Sequence, residues 1–135
     1  MMKTSTKIAV VVREDLQMWQ ELNVTAFTVS GIAGTIKDII GKNYEDGSVY
    51  LPMFNQPVLV FSADKDQIKK VHQRALSRDI RFSIYTKGLF DTNNDEDNRA
   101  VVRSVREEDL QIVGMAMYGQ KNTVDKILKG LPLHK

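Results

Sequence analysis

Cysteine is absent from this chain of 135 residues, which removes disulfides, thiolate nucleophiles and thiolate metal sites and is compatible with a reducing compartment. An excess of charge is missing too. Lys and Arg number 19 against 17 for Asp and Glu, a net +2, so charge does not imply nucleic acid or an anionic membrane as a partner. Long apolar runs are also lacking. The N-terminal run, Ile8 to Val12, stops at Arg13, too short for a signal-peptide core, and no window approaches a membrane span. The expectation is a cytoplasmic protein with no membrane partner. No repeat, linker or low-complexity tract interrupts the chain, and its length suits one domain over residues 1–135.

What is present reads as alternating strands and helices. Ile8, Val10, Val11 and Val12 form a β-branched run suited to a strand covered on both faces. After Arg13-Glu14-Asp15, the residues Met18, Leu22, Ala26, Val29 and Ala33 recur at spacings of three and four. That spacing predicts one apolar helical face, with Asn23, Thr25 and Ser30 on its flanks. Pro57 to Ala63 predicts a second strand, and Asp64 with Gln67 a capping box for a helix faced by Ile68, Val71, Ala75 and Leu76. Ile80, Phe82 and Ile84 alternate with Arg81, Ser83 and Tyr85 as a third strand; Gln111 to Tyr118 supplies a fourth. Val124, Ile127, Leu128 and Leu131 mark a last helix, closed by Gly130 and Pro132. This order predicts a three-layer α/β/α sandwich around a mixed, mostly parallel four-stranded sheet.

Two connections exceed the usual length of about 4 to 6 residues. Gly34 to Gln56 carries Tyr44, Tyr50 and Phe54, which either pack the loop onto the sheet or serve binding. Thr86 to Leu110 holds the densest polar cluster, Asp91 to Arg99. Its alternating oxygens fall short of a calcium loop, because Glu96 stands where the turn needs glycine and Val102 where a bidentate acid is needed. No metal or other cofactor is therefore expected. Asn94 or Asp95 can instead cap a short helix. His72 lies on a charged helix and His134 next to the C-terminus, and both are read as solvated. Gly31-Ile32-Ala33-Gly34 matches an RNA-clamping GxxG only in spelling and is read as the end of the first helix.

KIAVVVREDLQM resembles the first strand and turn of type 2 peptidyl-tRNA hydrolases, and the course of elements to VDKILKGLPL is similar to theirs. Nearly end to end, VVREDLQMWQELNVTAF, YLPMFNQPVLVF, FDTNNDEDNRA and VDKILKGLPLH resemble a bacterial group known as domain of unknown function 2000. The resemblance implies a peptidyl-tRNA hydrolase type 2-like fold. Where the hydrolases carry GKGK this chain has Trp19-Gln20-Glu21-Leu22, with no lysine between Lys7 and Lys37. Their DAGRTQ segment is not reproduced either. Loss of these cations weakens a tRNA substrate.

The reading is a small-ligand-binding or interaction module, with hydrolysis of an ester or amide as the alternative. Arg13, Asp15, Asn23 and Thr25 from the first strand and helix are expected to meet Thr92, Asn98 and Arg99 from the long loop, and Asp91 is the acid/base candidate. Arg13 or Arg99 would hold an anionic group, while Asn23, Thr25 and Asn98 orient it. Arg13 can equally bridge to Asp15 or Asp97 as structure. The partner is an unidentified small molecule or protein, or a second copy in a homodimer.

Overall fold

The computed structural model describes residues 5–135. Strand β1 (Thr6–Arg13) is followed by helix α1 (Met18–Thr35), the short strands β2 (Tyr44–Asp46) and β3 (Ser48–Tyr50), and strand β4 (Val58–Ala63). Helix α2 (Lys65–Leu76), strand β5 (Arg81–Thr86), helix α3 (Asp95–Arg103), strand β6 (Ile112–Gln120) and helix α4 (Lys121–Ile127) complete the order. The main sheet runs β4-β1-β6-β5. β1 lies inside it because its β-branched side chains fill both sides. Ile8, Val10 and Val12 pack beneath Val24 and Ile32 of α1, while Ala9 and Val11 pack with α2 and α4 on the opposite face. Helices thus cover both faces of an α/β fold. Among the described residues no helix is long and apolar enough to cross a membrane.

The sheet is mixed, as expected: β4, β1 and β5 point one way and β6 the other, so fewer of its neighbouring pairs are parallel than expected. Only β1 with β4 is parallel; β6 runs antiparallel to both β1 and β5. The physical reason lies at the ends of the long loop. Lys87 donates its backbone N–H to Gln111 O at 2.9 Å, so the chain returns to the sheet end it left and must reverse direction. A parallel neighbour needs a crossover to the far end.

The helix stripe expected for α1 is corrected as well. Its buried residues are Val24, Thr28 and Ile32, whereas Met18 and Leu22 are 76% and 66% exposed. Spacings of three and four fit more than one stripe of this helix, which has one charged residue, Glu21, to mark a solvent side. Thr28 can take a core position because its hydroxyl donates back to Val24 O at 2.8 Å. The capping box of α2 forms as read: Asp64 accepts from Gln67 N–H at 2.8 Å and Gln67 Oε1 accepts from Asp64 N–H at 2.9 Å. Asn94 caps α3, accepting from Asp97 N–H at 2.8 Å.

The connection after α1 contains the β2–β3 hairpin, which the sequence pattern did not reveal. Gly47, at φ 79, makes its turn. Every residue of both strands is exposed. Tyr44 and Tyr50 therefore do not pack this loop onto the sheet; of the three aromatics only Phe54 joins the core. At the other end of the chain, residues beyond α4 run along β4, with Ser62 N–H donating to Pro132 O at 3.1 Å and His134 N–H to Val60 O at 2.8 Å. That pairing covers the backbone groups of an otherwise open edge.

Candidate functional site

Two clefts flank the end of the sheet where β1 stops. The first, about 310 Å³, lies between α1 and the loop that leads from β5 into α3. α1 supplies Trp19, Asn23 and Phe27, which the helical repeat brings to one side over two turns. Tyr85 comes from the end of β5, Phe90 from the 3-10 turn Lys87–Asp91, and Thr92 and Asn98 from the residues on either side of the α3 cap. The aromatic rings pack edge-on or tilted. Trp19 and Phe90 have centroids 5.9 Å apart, Phe27 and Tyr85 5.9 Å, and Tyr85 and Phe90 5.0 Å, separations typical of favourable ring quadrupole contacts.

Polar groups are set into this aromatic wall. The Thr92 hydroxyl donates to Leu89 O at 2.9 Å and lies against Asn98 Oδ1. Trp19 Nε1–H donates to Gln17 Oε1 at 2.9 Å, which fixes the indole plane. Tyr85 is buried, and that burial pushes its hydroxyl pKa up, with hydrogen bonding from Asn23 acting in the opposite direction. The phenol is therefore neutral at pH 7, able to donate as well as accept. Asp95 is the one acidic residue in the lining, and it is engaged by Arg99 four residues along α3.

The second cleft, about 350 Å³, opens on the other side, between α2 and the segment Glu107 to Ile112. Arg13, Lys65, Lys69 and His72 line it opposite Glu107. His72 is not the solvated histidine that its charged helix suggested. It is buried, 6% exposed, with its ring edge-on to Phe82 at 6.1 Å. α2 places Ile68, Val71, His72 and Ala75 on one side, and the imidazole is drawn into the core with them. Burial lowers its pKa, with Glu107 pulling the other way.

Of the expected site residues, the structure brings Asn23, Thr92 and Asn98 together in the aromatic cleft. Arg13 lines the second cleft and holds Asp15 bidentately, Nε to Oδ1 at 3.0 Å and Nη2 to Oδ2 at 2.6 Å. Those bonds, ahead of any general field, hold the Asp15 carboxyl below its ordinary value. Thr25 lies on the flank of α1, donating to Glu21 O at 2.8 Å. Asp91 is exposed and lines neither cleft, and Arg99 points outward to Asp95. Trp19, Phe27, Tyr85 and Phe90 were not among the expected binding residues. The available signal was Trp19, Asn23 and Phe27 at intervals of four, which places one polar group between two rings on one side of a helix.

A family model described as Protein of unknown function (DUF2000) matches residues 6–135. The chain is similar to a solved structure of a protein of unknown function from Agrobacterium tumefaciens, at 44% identity and a TM-score of 0.95, covering 98% of this chain and 100% of that one. No curated protein matches the chain.

Proposed function

We infer that this chain, which belongs to the Protein of unknown function (DUF2000) family, binds a small, flat, uncharged ligand in the aromatic cleft between α1 and α3. One observation carries the reading: four aromatic side chains and five amide or hydroxyl ones, Asn23, Thr92, Asn93, Asn94 and Asn98, converge on one cleft, and its carboxylate is already paired. Mostly apolar walls with a few convergent polar groups are what a small-molecule site requires. Rings would stack a planar group, while the amides and hydroxyl would read its edge. An anionic ligand is less well served here, because Arg13 is engaged by Asp15 and Arg99 by Asp95. Hydrolysis driven by Asp91 gains no support from an exposed carboxylate outside the cleft. A cytoplasmic location, supported by the absence of cysteine, and descent from the peptidyl-tRNA hydrolase type 2-like fold, supported by the resemblance of the first strand and the C-terminal helix, belong to the same proposal.

The chain has one tryptophan, Trp19, which reports on this cleft directly. Benzamide, a neutral planar amide, is expected to shift the Trp19 indole N–H resonance in a saturable titration, and Asn23→Ala and Asn98→Ala are each expected to weaken binding about ten-fold, the loss of one well-made hydrogen bond. No shift at millimolar benzamide, or wild-type affinity in both variants, would overturn the reading.

A further inference from the structure

An 18-residue helix that shields a sheet ordinarily shows charge to water; α1 does not. Its single charged residue, Glu21, is turned toward His134, with Oε1 3.2 Å from Nε2. The side opposite the buried Val24, Thr28 and Ile32 presents Trp19, Leu22, Ala26 and Ser30 to solvent. An uncharged helix side that shows large apolar side chains to water marks a surface suited to a partner. The β2–β3 hairpin repeats the anomaly, since it projects with Tyr44, Val49 and Tyr50 exposed, followed by Leu51 at 84% and Met53 at 58%. An isolated two-stranded hairpin is at best marginally stable in water.

We propose that the outward side of α1 and the β2–β3 hairpin together form the interface of a twofold homodimer. The partly exposed side chains of Met18, Trp19, Leu22 and Phe27, with the five of the hairpin segment, leave on the order of 1,000 Å² of largely apolar surface in water, at roughly 100 Å² for each. Taken together, that is comparable with the ~800 Å² per partner of a stable interface. A second copy is the fitting occupant. The outward side of α1 carries no charge with which to select a different partner or repel its own copy; the acidic residues of the hairpin strands are Glu45 and Asp46, which a twofold arrangement must keep apart. Ala26 and Ser30 are small enough for two helices to approach closely around a twofold axis, where the same surface serves both chains. Trp19 and Phe27 belong to both this surface and the aromatic cleft, whereas Leu22, Ala26 and Leu51 lie outside the cleft lining, so changes at those three test the dimer separately from the ligand reading.

Because the chain has no cysteine, a single introduced thiol reports one contact. Ala26 lies at the middle of α1, where antiparallel helices related by a twofold approach their own mates. In dilute full-length protein, Ala26→Cys is expected to form a covalent dimer at least ~10-fold faster than Lys70→Cys, an exposed position on α2. Analytical ultracentrifugation should give twice the 15.3 kDa chain mass, and Leu22→Glu and Leu51→Glu should each weaken association at least ~10-fold while leaving the circular dichroism spectrum unchanged. A monomer at 100 micromolar (roughly the range where a specific dimer is saturated), equal crosslinking at both positions, or a dimer indifferent to both charges would overturn the proposal.

Discussion

At the scale of single residues, the tightest constraint is on Gly114 in β6. A Cβ built there would lie 2.1 Å from Val24 Cγ1 and 3.4 Å from Val11 O, so α1 can approach the sheet only over a missing side chain. Gly114→Ala is expected to lower stability by about 1 to 3 kcal/mol, the usual cost of overpacking a core. Urea denaturation measures it. Val24→Ala should be destabilising alone, yet combining it with Gly114→Ala should cost less than the sum, because the smaller side chain at 24 makes room for the Cβ at 114. Strict additivity would mean that the clash is relieved elsewhere. The need for glycine here is set by a residue 90 positions away in the chain (114 minus 24), and nothing local to β6 announces it.

At the scale of elements, helix α2 shows what local sequence can settle. Asp64 and Gln67 satisfy two otherwise unpaired backbone donors at its first turn, at 2.8 and 2.9 Å. Asp64→Ala is expected to cost about 1 kcal/mol, read as a lower urea midpoint with an unchanged slope. Asp64→Asn should recover most of that loss, since an Asn side chain still accepts from Gln67 N–H; equal loss in both variants would reject the capping role. The corresponding reading of Asn94 at α3 also rests on contacts three residues apart. Helix α1 is the contrary case. Its turn spacing is regular, but which turn faces the sheet depends on what the sheet presents, so the spacing suits the stripe from Met18 to Ala33 as well as that of Val24, Thr28 and Ile32, and the latter is buried.

At the scale of the whole molecule, the two histidines link stability to pH with opposite signs. Burial lowers the pKa of His72 from its ordinary 6.5, so the unfolded chain binds its proton first and stability falls as pH drops below that value. His134 is raised from 6.5, chiefly by its hydrogen bond with Glu21; the stability it adds is fully present below 6.5 and is lost as pH rises through the higher folded value. His134 is a surface partner, and its effect is small. Between pH 7.5 and 5 (roughly one unit either side of the ordinary histidine range), wild-type melting temperature should fall, the fall should flatten in His72→Leu, and it should steepen in His134→Ala. An identical slope in His72→Leu would place the acid sensitivity elsewhere.

The sequence by itself determined the secondary elements whose signals are local: the buried β1, the alternating β5, the capped α2, and the polar cap of α3. It also made Asn23, Thr92 and Asn98 visible as polar residues at suspect places. Only the tertiary structure decided strand direction, because β5 and β6 are read identically whether the loop between them crosses the sheet or returns to the same end, and it was the Lys87 to Gln111 contact that fixed the return. Only the tertiary structure separated Arg13 from Asn23, since adjacent strand and helix residues can face opposite sides of one sheet. It also drew Tyr85 and Phe90 against Trp19 and buried His72 beside Phe82. Periodicity records where along an element the apolar residues lie; burial is set by what arrives from distant parts of the chain to cover them.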